Sequence, residues 1–350
     1  MVKIYGGADL TTFEATSKVA DDQPHITSLD VTNATNLTSL TVNGNRLTSI
    51  DLSKNTKLTS LTIGNNLLTA LDITANTALK TVDATNNKLT TLDISKNTVL
   101  ATLKLNDNNF ETADFSASTS LKSLYIINNK LTSINLGNNT TLNYISVNNN
   151  LLTSLDLSAQ TGLTNKASVF AIGNKLTSIK LPEGTVRTVN ISNNCFTLAT
   201  LPTTGITNLT YAPQKPMEIS DINMTLDLSA QTNLKGLATE AKATTFTVYN
   251  AKGEVLTAGT DYVETDGKIS FINAAVDSAY VTMTTDAFPK FTGTSVFKTT
   301  VAKVVATTTS INYVNAAAND NKAIYNLAGQ RLSAEPAKGI YIKAGKKYVK

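Results

Sequence analysis

The chain has 350 residues, 41% hydrophobic and 16% charged, a length that suits two or three domains and a composition that buries a core. One His (His25), one Cys (Cys195) and no Trp exclude most zinc sites, Cys–His dyads and Ser–His–acid triads within one chain. The formal charge of +4 is uneven: seven Lys and Arg against Glu335 put +6 on residues 322–350, so residues 1–321 sum to −2 and no basic face for nucleic acid is expected.

Met1-Val2-Lys3-Ile4 lacks the apolar run of a signal peptide, which leaves a cytosolic protein or one whose export signal has been removed. No run of 18 apolar residues is present to span a membrane. Residues 1–25 are expected to form an N-terminal cap, with His25 as a cap residue rather than a ligand.

From residue 26 the sequence repeats. Leu stands at 37, 58, 79, 100, 121, 142 and 163, a constant step of 21. A second series at 47, 68, 89, 110, 131 and 152 has the same step, with Phe110 the one departure from Leu. Each unit therefore holds two halves of the form L-x-x-L-x-L-x-x-N, as in residues 47–55 and 58–66. The L-x-L step puts two apolar side chains on one face of a short strand, and the Asn then turns the chain. Strand-forming Thr (57 residues) and turn-forming Asn (38 residues) fit many short strands and turns. Twenty-one residues have no room for two strands, two turns and a full helix, so strands are expected on both sides of a coil. Two Asn columns, Asn45 to Asn150 and the weaker Asn55, Asn76, Asn97, Ser118, Asn139, Gln160, are expected to satisfy turning backbone in the interior.

These motifs resemble the leucine-rich repeat, in the short 21-residue bacterial form similar to the internalin J group. The resemblance covers residues 26–213 and implies a solenoid that binds macromolecules through its surface and has no catalytic residues or cofactor of its own. Val42, Ile63, Ala84, Leu105, Ile126 and Val147 occupy the place of that group's Cys ladder, so its receptors do not carry over.

Residues 214–305 break the period and read as short strands: Thr244–Tyr249, Glu254–Leu256, Lys268–Ile272, Tyr280–Thr284 and Phe297–Val305. Their spacing fits an immunoglobulin-like sandwich. Residues 226–234 nearly copy residues 155–163 and are either a stray half of a repeat or, the favoured reading, an early strand of that sandwich. Residues 306–350 form a polar linker and a small meander of three strands. The runs Asn326-Leu-Ala-Gly-Gln-Arg331 and Lys338-Gly-Ile-Tyr-Ile342 resemble the C-terminal sorting tails of proteins exported by anaerobic gut and oral bacteria, which implies export. The expected fold is all-β: a leucine-rich repeat β-solenoid, a sandwich and a small meander.

Three features compete for function. An acidic column, Asp30, Asp51, Asp72, Asp93, Asp114, Asn135 and Asp156, stacks like charges that repel unless hydroxyls compensate; Ser or Thr follows each Asp two residues later. A single file of carboxylates does not surround a cation, so no metal is expected. The frequent Thr of each half lacks the long T-x-T columns of an ice-binding face, and Cys195 reads as a packing residue. The outward strand positions are more informative. Early coils hold Ser39, Thr41, Asn43, Ser60, Thr62 and Gly64; later ones hold Tyr125, Ile127, Tyr144, Phe170 and Ile172, with Asp83 and Lys104 just before them. These later residues are expected to form one apolar and aromatic patch. The patch is either a recognition site or a seal against an adjoining domain, with three extra residues between Leu163 and Leu176 as a lip. The resulting reading is a monomeric, secreted or cell-surface, non-enzymatic protein that recognises a protein or glycan. The alternatives are an accessory to a carbohydrate-active enzyme and a surface-layer protein without a ligand.

Overall fold

The computed structural model describes residues 2–3, 9–17, 25–305, 324–325, 331–332, 334–335, 340–343 and 346–349. Almost no helix is present; two 3-10 turns, Ser229–Gln231 and Gly293–Ser295, are the exceptions among the described residues. One Leu series sits at the base of each coil and the other on the facing half, and Leu37, Leu58, Leu79, Leu100, Leu121 and Leu142 are fully buried. Leu47, Leu68, Leu89, Phe110, Leu131 and Leu152 complete the same core. Each buried Leu contributes on the order of 1.5–3 kcal/mol of transfer free energy.

One half of each coil supplies a strand to a ten-stranded parallel sheet. It begins with Thr12–Glu14 and Ser39–Thr41, continues through Ser60–Thr62, Thr81–Asp83, Thr102–Lys104, Ser123–Tyr125, Tyr144–Ser146 and Ser168–Phe170, and ends with Val186–Asn190 and Ile206–Thr210. The middle residue of each short strand (Leu61, Val82, Leu103, Leu124, Ile145, Val169) is buried, so its two neighbours face outward.

The opposite side also has strands, but not in every coil. Thr112–Asp114 pairs with Ser133–Asn135, Ser154–Asp156 with Ser178–Lys180, and Val2–Lys3 with Leu29–Asp30. Residues 50–52, 71–73 and 92–94 form no strand. In those coils side chains make the link: Asn76 Nδ2 donates to the carbonyls of Leu52 and Asn55, and Asn97 Nδ2 to those of Ile73 and Asn76. Strands pair where that column departs to Ser118 and Gln160.

The first Asn column is satisfied at every atom. Asn66 Oδ1 accepts from the Leu47 N–H of the preceding coil at 3.0 Å, while Asn66 Nδ2 donates to Val42, Ile63 and Gly64 carbonyls. The column continues beyond Asn150 through Asn174 and Asn194 and closes with Gln214, whose Oε1 accepts from Phe196 N–H. Just before it runs a left-handed column, Gly44, Asn65, Asn86, Asp107, Asn128, Asn149, Gly173 and Asn193, with φ between 52° and 71°. Only Gly, Asn and Asp enter that region cheaply, which accounts for the repeated Asn-Asn pairs.

The chain divides into two compact units. The first comprises Met1–Glu218, Ser229–Thr247 and Val281–Thr300. In it the last coil is closed by Tyr211, whose ring meets Phe288 and Phe291 edge-on at 5.5 and 5.1 Å and whose hydroxyl accepts from Lys290 N–H. The expected strand Phe297–Val305 is cut into Phe297–Lys298 and Ala302–Lys303. Thr299 is the cause: its hydroxyl accepts from Val281 N–H and donates to Thr300 carbonyl, taking a place in the ladder that backbone would otherwise fill.

The second unit comprises Ile219–Leu228, Val248–Tyr280 and Val301–Lys350. Thr225–Asp227, Lys268–Phe271 and Tyr262–Thr265 form an antiparallel sheet, so the near-copy at residues 226–234 does start as a strand. Glu254–Leu256, expected as a strand, makes only an isolated pairing, Tyr249 with Val255. Among the described residues the tail holds four strands where three were expected: Ile324–Tyr325, Arg331–Leu332, Ile340–Lys343 and Lys346–Val349. Lys346–Val349 pairs antiparallel with Ile340–Lys343. Most of the Asn326–Arg331 run and Lys338-Gly339 lie outside the described residues.

Candidate functional site

Outward side chains of the main sheet fall into two columns set by strand register. One reads Thr41, Thr62, Asp83, Lys104, Tyr125, Ser146, Phe170, Asn190. The other reads Ser39, Ser60, Thr81, Thr102, Ser123, Tyr144, Ser168, Thr188. Tyr125 and Phe170 are therefore two coils apart, and Tyr144 belongs to the neighbouring column on the coil between them.

The three rings nevertheless meet. Tyr125 and Tyr144 stack with centroids 4.7 Å apart and 29° between planes, and Phe170 follows at 5.6 Å and 41°. Ser146 makes this possible. It occupies the slot between Tyr125 and Phe170, is small enough for the Tyr144 ring to lean across it, and is only 1% exposed. Each pair of rings contributes about 0.5–1.5 kcal/mol beyond area burial. Burial, with the Tyr125 hydroxyl nearby, raises the Tyr144 pKa above the ordinary phenol value.

At one end of the row, Lys104 Nζ lies 5.9 Å from the Tyr125 ring centroid and 3.4 Å from Asp83 Oδ2. The ammonium is shared between a ring face and a carboxylate, which holds the row's end in place. Ile127 and Ile172 flank the row in the next position along the coils, with Asn148 between them; their N–H groups donate to Asn106 Oδ1 and Asn148 Oδ1. All seven residues of the expected patch are half-buried. The three extra residues, Thr164–Lys166, form an exposed turn that leads into Ser168–Phe170.

The acidic column has a different role. Each carboxylate accepts from the N–H two residues later, as Asp51 does from Ser53 and Asp93 from Ser95, at 2.9 and 2.8 Å. The hydroxyls of Thr74 and Ser116 together with these N–H bonds hold the Asp72 and Asp114 carboxyls below their ordinary range, and the N–H bonds with the hydroxyls of Ser53 and Ser95 do the same for Asp51 and Asp93, despite the stacking of like charge. Asp156, held by the Ser158 hydroxyl and N–H and with Lys180 at 3.2 Å, is lowered to about 2. No cluster of three or more His, Cys, Asp or Glu able to hold a metal occurs among the described residues. Cys195 is half-buried with its N–H bonded to Leu176 carbonyl, and His25 Nδ1 lies 3.0 Å from Gly44 carbonyl at the first coil.

Three contributors were not singled out in the sequence. Ser146 gave no signal, because its importance lies in the volumes of its neighbours on adjacent coils. Lys122 and Arg187, each just before an outward strand position, were legible as charges but not placed beside the rings.

No protein-family profile matches the chain, and no curated protein does. Among solved structures, the functional domain of InlJ from Listeria monocytogenes superposes with a TM-score of 0.54 at 19% identity, over 87% of this chain and 69% of that one. The fold is a leucine-rich repeat solenoid. Lower scores link this solenoid to YopM of Yersinia pestis (0.46, 24% identity, 58% of this chain and 57% of that one) and to a leucine-rich repeat protein of Leptospira interrogans (0.44, 19%, 65% and 71%). The InlJ domain includes a cysteine ladder; the leucine-rich repeats here hold one cysteine, Cys195, and build their ladders from Asn. No helix among the described residues is long and apolar enough to cross a membrane.

Proposed function

We propose that the chain is a non-enzymatic binding protein, secreted or surface-attached, whose leucine-rich repeat sheet recognises another protein. The observation that supports this is the stacked row Tyr125, Tyr144, Phe170 on a face whose two outward columns otherwise hold Thr and Ser, apart from Asp83, Lys104 and Asn190. Aromatic anchors with limited side-chain freedom dominate interface energetics, and this row is preorganised by its own contacts. Protein is favoured over glycan by ring orientation. A sugar ring needs an open aromatic face, but Tyr144 is sandwiched between two rings and Tyr125 lies between Lys104 and Tyr144. Edges, hydroxyls and the far face of Phe170 are what remain for a partner. The similarity to the InlJ domain and the motifs of the tail support surface or extracellular placement, and residues 214–305 are read as a spacer of immunoglobulin-like type. A glycosidase would need one carboxyl raised and one ionised, whereas Asp51, Asp72, Asp93, Asp114 and Asp156 are all lowered.

Protein and glycan arrays probed with the chain and with its Tyr125→Ala/Tyr144→Ala variant test the reading. Protein hits that vanish in the variant are expected; hits confined to glycans, or indifferent to the variant, overturn it.

A further inference from the structure

The row has a charged border. In every coil one residue stands at the edge of the main sheet just before the first outward position, and it is Lys80, Lys122 or Arg187 in three coils, all exposed. Lys122 precedes Ser123, the register partner of Tyr144; Arg187 precedes Thr188, the partner of Ser168 beside Phe170. The extra turn Thr164–Lys166 adds Lys166 to the same edge. Among the described residues none of these four side chains takes part in an ion pair, and Glu183 is the one carboxylate in the turns that lead into the strands from Ser39 to Thr210. The Asp column lies at the other end of those turns with its carboxylates bonded to their own turn N–H groups. The edge across the face is neutral at Asn128 and Asn149, which bond along the column to Asp107; the cations Lys88, Lys130 and Lys175 stand two residues farther round the turn, away from the rings.

Unpaired cations one to three coils apart, at ~4.8 Å per coil, set a positive strip along an apolar row. We infer, building on the reading of the row as a protein contact, that the partner presents acidic side chains beside an apolar core, and that the acidic side lies along Lys122, Lys166 and Arg187. Such charges set orientation and on-rate, while the rings supply most of the affinity.

A random peptide library displayed on phage, selected on the full chain at low salt, provides the test. Expected are peptides that combine Asp or Glu with aliphatic or aromatic residues. Their binding should be lost in Tyr144→Ala, weaken about tenfold in Lys122→Glu/Arg187→Glu, and weaken again at roughly 0.5 M salt. Melting temperatures of both variants, measured alongside, separate lost contact from lost fold. If selected peptides need Tyr144 but are not acidic and ignore the charge reversal, this inference fails and the contact surface stands. If none needs Tyr144, the contact reading itself falls. Retention of the chain by heparin or alginate beads that survives Tyr144→Ala would overturn the inference in favour of an anionic polymer on the cationic strip.

Discussion

Single side chains hold this solenoid together unequally, and the two Asn columns show it. Asn108 accepts from Leu89 N–H and donates to the carbonyls of Ala84, Leu105 and Asn106. Asn97 only donates; its Oδ1 is buried without a partner. Asn108→Ala strands a buried N–H and is expected to cost about 2–4 kcal/mol, whereas Asn97→Ala removes an unsatisfied acceptor and should cost less than half as much. Urea unfolding of the two variants compares them directly; equal losses would contradict the account. The acidic column has a pH signature of definite sign. Carboxyls lowered in the folded state stabilise it above the unfolded pKa, near 4, and that stability drains as pH falls through the folded values, reaching about 2 at Asp156. Asn135 shows how to remove it, since its Oδ1 accepts from Gly137 N–H with no charge at all. Replacing Asp51, Asp72, Asp93 and Asp114 by Asn should flatten the fall in melting temperature as pH drops below about 4.

At the scale of the coil, register was legible and ring placement was not. The unvarying 21-residue step of Leu identified the buried positions, and Leu100→Ala or Leu121→Ala should cost about 2–5 kcal/mol through the cavity left. The Asn column was legible only as far as Asn150, because the step then becomes 24, 20 and 20 and the last rung is Gln214. Alternation along a strand shows that Tyr144 points outward, but its lean over Ser146 depends on a small residue one column away. Removing Tyr125 and Tyr144 together deletes both ring contacts of the row, so the melting temperature should drop modestly. Ser146→Leu is the sharper probe: filling the slot should displace the Tyr144 ring, weaken the near-UV circular dichroism of the stacked tyrosines, and cost about 1–3 kcal/mol. An unchanged near-UV spectrum would show that Ser146 does not seat the row.

In the whole molecule, the boundary near Pro213 was placed where the period stops, yet the first compact unit also recruits Ser229–Thr247 and Val281–Thr300. No periodicity reports this, since Tyr211, Phe288 and Phe291 meet across about 80 residues of chain by shape alone. Tyr211→Ala should therefore destabilise the solenoid by about 3–5 kcal/mol even though it lies outside the Leu series, as a buried aromatic lost from a core does. Hydrogen exchange should show the loosening first at Ile206–Thr210 and last near Leu100.

The polarity of the first Asn column bears on how the chain comes into being. Each Asn completes the coil made before it: Leu47, Leu68 and Leu89 wait for Asn66, Asn87 and Asn108. A chain emerging from a ribosome or an export channel with its N-terminus first always has one unfinished coil at its growing end, and each added repeat finishes that coil and opens another. Growth of this kind is a template reaction without a natural length. It ends only when a rung such as Gln214 is joined by Tyr211's aromatic lid instead of another Leu, so duplication or loss of a 21-residue unit upstream leaves the terminating chemistry untouched.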